Sequence, residues 1–185
     1  ADPPKQTGAE FAPASGQEAM TPAPMPEEPA PTEAAVPPPA PEPLKDPQIA
    51  GVTQAANQAE IEQAKIAQKK AKHARVKKFA AMMIKHHGDA QKKQDKLVKK
   101  LTITVEESPA LAELKTSAQS TLTKLESAPA GADFDMAYMN AQVEAHQQVL
   151  DVVDKQLLPN AQNEELKTLL TEMRTVIEAH LTEAR

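Results

Sequence analysis

Three of the five histidines occupy positions where a helical pattern predicts the protein interior. Three segments carry an apolar residue every three or four positions, the spacing that places side chains on one face of a helix. His87, His146 and His180 each fall on such a face, whereas His73 and His86 do not. Imidazole is a ligand for Zn, Cu, Fe and Ni, so histidines converging from separate helices predict a transition-metal site.

The position of each histidine along its helix indicates which of them could meet. His87 and His146 lie close to the midpoints of their helices, and Glu60 lies near the midpoint of the first helix. His180 lies about two turns from the midpoint of the last helix, roughly 10 Å at ~1.5 Å per residue. We therefore expect Glu60, His87 and His146 at mid-bundle, with Met173 nearby and His180 as a further candidate ligand. Imidazole and carboxylate suit zinc or iron, whereas an added thioether favours copper.

A structural explanation of the interior histidines stands beside the metal site. A histidine in a helical core is commonly hydrogen-bonded to a carbonyl, a carboxylate or a water, without any metal. The Glu-x-x-His pairs that hold dinuclear carboxylate sites are also missing, because Ile84, Val143 and Ile177 stand three residues before the candidate ligands. The sequence therefore disfavours a di-iron oxidoreductase.

Motifs that would assign a catalytic residue are missing from the sequence. The five glycines are isolated, so they form no phosphate-binding loop. The sequence has neither a Gly-x-Ser-x-Gly nor a His-Glu-x-x-His pattern. We assign no catalytic residue, and a non-enzymatic role is the favoured prediction.

Composition predicts an all-α fold. Ala, Leu, Lys, Glu and Gln, which favour helices, are abundant, and only 2% of residues are aromatic. Asp46 before Pro47 and Ser108 before Pro109 are typical of a cap followed by the first helical residue. Pro159 ends the fourth helix. The predicted helices cover about residues 46–72, 75–101, 108–127, 133–158 and 163–185. Their apolar faces include Met136 and Met139 in the fourth helix and Val176 in the fifth.

The connectivity follows from the length of the third helix. It spans about 18 residues, roughly 27 Å, which is enough to return along a bundle. The remaining four helices would then form two antiparallel hairpins, with the second and fourth helices parallel. We predict a ferritin-like four-helix bundle with a helical crossover.

The N-terminal quarter of the chain differs in kind. Fourteen of the 17 prolines lie in residues 1–47, and such a segment neither holds a helix nor buries enough apolar surface to fold. We predict a disordered Pro/Ala-rich linker over residues 1–46 and a helical bundle domain over residues 47–185. The linker could be a tether, an inert tail or a ligand for a proline-binding module.

Charge is distributed unevenly along the predicted bundle. Residues 63–100 carry 13 Lys or Arg against two acidic residues, whereas residues 101–185 carry six against 14. A Lys-rich second helix could bind an anionic surface such as lipid, or its charges could be complemented by the acidic helices of the same bundle. No aromatic residues interleave with the lysines to stack on bases, so nucleic acid is disfavoured. No apolar run approaches the ~20 residues of a membrane span.

The order and spacing of several short elements resemble a family of bacterial envelope proteins. These elements are residues 55–61 with 65–67, residues 76–80 with Met83 and His87, Phe134-Asp135 with Tyr138 and His146, and His180-Leu181 with Ala184. They resemble domain of unknown function 4142, labelled predicted outer membrane proteins. The resemblance covers the helical region and implies a ferritin-like bundle, an envelope location and no established activity.

One position departs from that pattern. The family usually has Asp immediately before the histidine of the second helix, and here His86 takes that place. The resulting Met83-Ile84-Lys85-His86-His87 is similar to the Met-x-x-His-His motif of domain of unknown function 305, related bundles connected with copper binding.

These observations lead to three functional hypotheses. The first is a non-enzymatic extracytoplasmic protein, periplasmic or associated with the outer membrane, tethered by its linker and binding an unknown envelope partner. The chain has no cysteine and begins with Ala1 rather than Met, which we interpret as compatible with export and processing. The alternative is a bundle that binds copper, iron or zinc through Glu60, His87, His146 and His180. The second alternative is a metal-dependent oxidoreductase.

Overall fold

All regular structure in the described residues is helical, as predicted. The computed structural model describes residue 40 and residues 42–185, so most of the predicted linker over residues 1–46 lies outside the described residues. The helices are α1 (Asp46–Lys70), α2 (Ala74–Lys100), α3 (Pro109–Ser127), α4 (Ala132–Val152) and α5 (Glu164–Ala184). A π-helical segment, Val153–Leu157, continues α4.

The start of α1 differs from the prediction in its capping. Lys45 is the N-cap and Asp46 is the first helical residue, so the prediction of Asp46 as the cap is wrong. The carboxylate of Asp46 instead accepts hydrogen bonds from the backbone N–H groups of Gln162 at 2.8 Å and Asn163 at 3.0 Å. The carboxylate therefore ties the start of α1 to the start of α5.

A second carboxylate shows where α4 begins. Asp135, in the first turn of α4, accepts the N–H groups of Lys72 at 3.1 Å and His73 at 2.8 Å. These two residues form the turn between α1 and α2. Helices α2 and α4 therefore start at the same end of the bundle and run parallel, while α1 and α5 run the other way. This confirms the two predicted hairpins.

Helix α3 is the crossover that the sequence predicted. It packs against α1 and α4, and Lys70 at the end of α1 donates to the carbonyls of Leu125 at 3.0 Å and Glu126 at 2.6 Å. Only Leu111 and Leu125 of this helix are fully buried. Since α3 buries so little, it lies outside the four core helices.

A polar layer divides the apolar core into two clusters. One cluster lies toward the start of α1 and includes Ile49, Leu150, Leu157, Leu166 and Leu170. The other lies toward the end of α1 and includes Ala64, Ala67, Phe79, Met83, Phe134 and Tyr138. Along α1, α2 and α4, buried polar residues separate the two clusters: Asn57, Glu60, Gln63, His87, Gln142 and His146. The bundle thus places its polar interior groups near its middle.

Two predicted interior positions are exposed. Met136 of α4 is 65% exposed and Val176 of α5 is 41% exposed. Helix α4 instead buries Phe134 and Tyr138, whose rings stack at 6.2 Å. Burying two aromatic rings removes more apolar surface from water than burying one methionine, so the buried face is rotated from the predicted one at the start of α4, whereas His146 and Leu150 are buried as predicted.

Some of the lysines of α2 are complemented within the bundle. Lys93 pairs with Glu172 at 3.0 Å and Lys100 pairs with Glu165 at 2.7 Å, joining α2 to α5. Within the part of the chain that the structure describes, no helix has both the length and the apolarity to cross a membrane.

Candidate metal centre

Three buried histidines from three helices meet in the polar layer. His87 of α2, His146 of α4 and His180 of α5 each place one ring nitrogen within 4.8 Å of the other two. Their ring centroids are 5.2 to 5.9 Å apart. We call these residues the histidine triad. The three histidines that the sequence placed on apolar faces are therefore brought together.

The estimated height of His180 in the bundle is wrong. It was placed two turns from mid-bundle because it is far from the midpoint of α5. Helices α1 and α5 start at the same end of the bundle, however, and α5 stops at Ala184. Counted from that shared end, His180 and Glu60 lie at similar heights, since they follow Glu164 and Asp46 by similar numbers of residues.

Oxygen acceptors fix the tautomers of two triad members. Nδ1 of His146 lies 2.8 Å from the backbone carbonyl of Gln142, and Nδ1 of His87 lies 3.0 Å from Oδ1 of Asn57. Because a carbonyl oxygen can only accept, Nδ1 of His146 carries the hydrogen, and with the Asn57 amide oxygen directed at its ring Nδ1 of His87 carries one as well. Both Nε2 atoms are therefore left as lone pairs, and Nε2 of His87 is buried without a hydrogen-bond partner.

The third member, His180, has a nitrogen neighbour on each side of its ring. Its Nδ1 lies 3.4 Å from Nε2 of His146, and its Nε2 lies 2.9 Å from Nδ1 of His86. The His86 and His180 rings are nearly coplanar, with an interplanar angle of 12° and centroids 5.2 Å apart, so they meet edge to edge along this hydrogen bond. His86 is half-buried. The sequence analysis did not include it among the candidate ligands because it lies off the apolar stripe of α2, although its position next to His87 could have indicated it.

Burial keeps His87 and His180 in the neutral form that binds metals. It lowers the pKa of His87 well below the ordinary value of 6.5, and the neighbouring His180, His146 and His86 lower it further. Burial also lowers the pKa of His180 to about 4, with His146 and His86 contributing. Metal binding to histidine requires the neutral ring, so these two ligands need no deprotonation near pH 7.

Glu60 lies beside the triad without belonging to it. Its side chain is buried and lines the same cavity, and its Oε2 has no hydrogen-bond partner. Burial raises the pKa of its carboxyl, an effect opposed by His146 and by the Gln142 side chain. Glu60 thus places a carboxyl group next to the histidines.

A cavity of about 470 Å³ connects the triad to the surface. Its lining includes the thioethers of Met82 and Met173, the second of which the sequence placed near the site. The exposed charged residues of the lining all belong to α2 or α5: Asp89, Lys93, Glu172 and Glu183. The cavity therefore opens between these two helices, and its rim carries more acidic than basic groups.

The spacing of the triad fits a single ion after a small closure. Imidazole nitrogens bind zinc at about 2.0–2.1 Å, so two of them in a tetrahedral site lie ~3.3 Å apart. Nε2 of His146 and Nδ1 of His180 are 3.4 Å apart, and the separations that involve His87 are no more than 4.8 Å. Three imidazoles leave at least one coordination position for another ligand.

Comparison with known proteins identifies the family. The family described as Domain of unknown function (DUF4142) matches residues 29–185, and the chain belongs to it. A solved structure titled "CopM in the Cu(II)-bound form" is similar to the chain with a TM-score of 0.58 and 16% identity. The match covers 77% of this chain and 95% of that chain, and shows a shared fold. No curated protein matches the chain.

Proposed function

We propose that this DUF4142 protein is a copper-binding helical bundle that holds one ion with His87, His146 and His180. The observation that carries the proposal is the convergence of three buried imidazoles, two of which have free Nε2 lone pairs fixed by their hydrogen bonds. Metal-binding histidines typically donate their other ring N–H to an oxygen acceptor in this manner.

An unpartnered nitrogen favours an ion over a purely structural role. A structural histidine in a core satisfies both ring nitrogens, whereas Nε2 of His87 is buried with no hydrogen-bond partner. Leaving a buried polar atom unsatisfied costs about 1–3 kcal/mol. A cation bound between the three lone pairs would remove this cost.

Copper is the ion that the surroundings of the triad favour. Imidazole binds several transition metals, and copper binds most tightly among the divalent first-row ions. Met82 and Met173 add thioether groups to the cavity wall, and thioethers are soft ligands that suit Cu(I). The similarity in fold to CopM, whose title names bound Cu(II), supports the same choice.

Glu60 completes the proposed site. Its unpartnered Oε2 would provide negative charge close to the ion, either as a direct ligand or across the cavity. Three neutral histidines leave the charge of a copper ion uncompensated, and a buried charge without a counter-charge is costly. The carboxyl of Glu60 would therefore ionise when the ion binds.

Competition titration against a copper chelator tests the proposal. Protein purified without a histidine tag should bind one copper ion per chain. H87Q, H146Q and H180Q should each weaken binding more than about 100-fold, beyond the 10–100-fold typical of outer-shell partners. H73Q is the matched control, since His73 is exposed at the start of α2 and lies outside the triad. Equal affinities in all four variants would contradict the proposal.

The location that we propose with this function is extracytoplasmic, periplasmic or associated with the outer membrane. It is supported by the resemblance of residues 46–185 to envelope proteins and by a composition without cysteine, which an oxidising compartment tolerates. Fractionation of cells that produce the native protein tests it. Recovery in the cytoplasmic fraction would be the contrary result.

A further inference from the structure

The hydrogen bond between His86 and His180 can form in two directions. Nδ1 of His86 and Nε2 of His180 are 2.9 Å apart, so one hydrogen lies between them, and either nitrogen could carry it. If His86 donates, His180 carries its hydrogen on Nδ1 and directs it at Nε2 of His146, 3.4 Å away. If His180 donates instead, its Nδ1 presents a lone pair to the triad.

Only the second arrangement allows three histidines to bind one ion. A ligating nitrogen must be free of hydrogen, and in the first arrangement Nδ1 of His180 carries one. That N–H group also donates to Nε2 of His146, so the lone pair of His146 is not available to an ion. In this structure, oxygen acceptors already leave Nε2 of His87 and Nε2 of His146 free of hydrogen. The tautomer of His180 is the one that depends on His86.

We propose that His86 is a positioning residue that sets the tautomer of His180 and thereby opens or closes the site. The inference rests on the proposed copper binding. In the metal-free protein His86 donates to His180, which satisfies both nitrogens of His180. In the copper-bound protein His86 accepts from His180, and Nδ1 of His180 joins Nε2 of His87 and Nε2 of His146 around the ion.

The change of tautomer balances in protons. As copper binds, the hydrogen on Nδ1 of His180 leaves to solvent through the cavity. His86 passes the hydrogen on its Nδ1 to Nε2 of His180, and takes up one hydrogen from solvent at its own Nε2. This exchange between His86 and His180 releases no net proton. A neutral imidazole can act from the same atom as donor or acceptor by changing tautomer, which neither a carboxylate nor an ammonium group can do.

Substitutions that only accept or only donate test the proposal. H86D can only accept from His180 and should tighten copper binding, whereas H86K can only donate and should weaken it, each by about tenfold, the lower end of outer-shell effects. H86N can do either after rotation of its amide and should stay near the unmodified affinity. H86L does neither and should lie below H86N.

Two variants of the cavity rim control for charge. K93Q changes the net charge as H86D does, and D89N changes it as H86K does. Both residues line the same cavity, while their side chains make ion pairs with Glu172 and Lys85 rather than with the triad. If K93Q matches H86D and D89N matches H86K, affinity follows charge alone and the proposal is wrong.

A measurement without metal separates this inference from the proposed function. Nitrogen-15 NMR of the metal-free protein reports which ring nitrogen of His180 is protonated. We expect Nδ1 in the unmodified protein and in H86K, and Nε2 in H86D. The same tautomer in all three would overturn the inference, and so would loss of copper binding in both H86D and H86L, which would make His86 a ligand. Failure of the unmodified protein to bind copper would instead contradict the proposed function alone.

Discussion

Each triad histidine is held by a different kind of hydrogen-bond partner, and this determines which parts of the site can be altered. His146 donates to a backbone carbonyl within its own helix, which no side-chain substitution removes. His87 depends on the Asn57 side chain of α1, and His180 depends on His86 of α2. The ligands are therefore positioned partly by helices other than their own.

Glu60 should show opposite effects on stability and on metal binding. Its pKa is raised above the ordinary 4.5 by burial, so its contribution to stability is present below that value and is lost as pH rises through the raised pKa. We expect metal-free E60Q to gain stability relative to the unmodified protein as pH rises from about 4.5 toward neutrality, since glutamine does not titrate. Urea unfolding in the presence of EDTA, repeated across this pH range, measures the difference between the two proteins.

The same substitution should weaken copper binding near pH 7, because it removes the negative charge beside the ion. E62Q is the matched control, since Glu62 is exposed on the same helix. A stability difference between E60Q and the unmodified protein that stays constant with pH would contradict the account of Glu60.

Helical periodicity was sufficient to find the three ligands but not their neighbours. His87, His146 and His180 lie among apolar residues, so their face could be identified from spacing alone. Asn57 and Gln142 are polar and lie among polar or small residues, so nothing in the pattern separates them from surface positions. The predicted height of His180 is wrong because it was measured from the midpoint of α5, and the midpoints of different helices need not lie at the same height. The starts of α1 and α5, which Asp46 joins, do lie at the same height.

Two carboxylates link the helical hairpins at opposite ends of the bundle. Asp46 binds the N–H groups before α5, and Asp135 binds those of the turn between α1 and α2. Each satisfies backbone donors that the start of a helix leaves free. These contacts fix which helix ends lie together and so align the histidines of α2, α4 and α5.

Removing the carboxylate of Asp135 should destabilise the bundle. D135A leaves two backbone N–H groups without their charged acceptor, and a hydrogen bond to a charged group contributes about 1.5–3 kcal/mol. We expect a loss of that size in the free energy of unfolding, measured in urea. D133A is the control, because Asp133 is exposed in the same first turn. Equal losses in the two variants would show that helix-start charge, rather than the contact, is responsible.

Caps and prolines predicted where the helices begin and end more accurately than apolar spacing predicted which helix faces are buried. Ser108 accepts from Leu111 at 3.1 Å, as expected of an N-cap before Pro109, and the bounds of α2 and α3 agree with the prediction. The helical stretch that begins with α4 ends at Leu157, within one residue of the prediction, but spacing did not predict that its last five residues, Val153–Leu157, are π-helical. Packing of Phe134 and Tyr138 likewise leaves Met136 exposed at the start of α4.

At the scale of the whole molecule, the polar layer divides the core. The apolar clusters on either side stabilise the fold, while the layer between them carries several buried polar atoms without partners. A copper ion bound there would stabilise the native state by an amount that rises with the logarithm of its affinity. The two apolar clusters toward the ends of the bundle therefore stabilise the fold, and the polar layer between them holds the candidate functional site.

The boundary of the folded domain can be tested by substitution and deletion. Leu44 is buried against the core just before α1, so L44A should cost about 2 kcal/mol, near the lower end for buried leucines. Deleting residues 1–39, the part of the predicted linker that lies outside the described residues, should leave the melting temperature unchanged. Thermal unfolding of the two variants compares them directly. A large loss of stability on deletion would show that the segment packs on the bundle.

The most direct test of the central claim is anomalous diffraction at the copper edge from crystals of the copper-loaded protein. We predict one peak, bonded to Nε2 of His87, Nε2 of His146 and Nδ1 of His180 at about 2.0 Å, the distance typical of imidazole ligands. A protein that takes up copper but shows no peak at the triad, with the ion at His73 or on the acidic surface instead, would contradict the account.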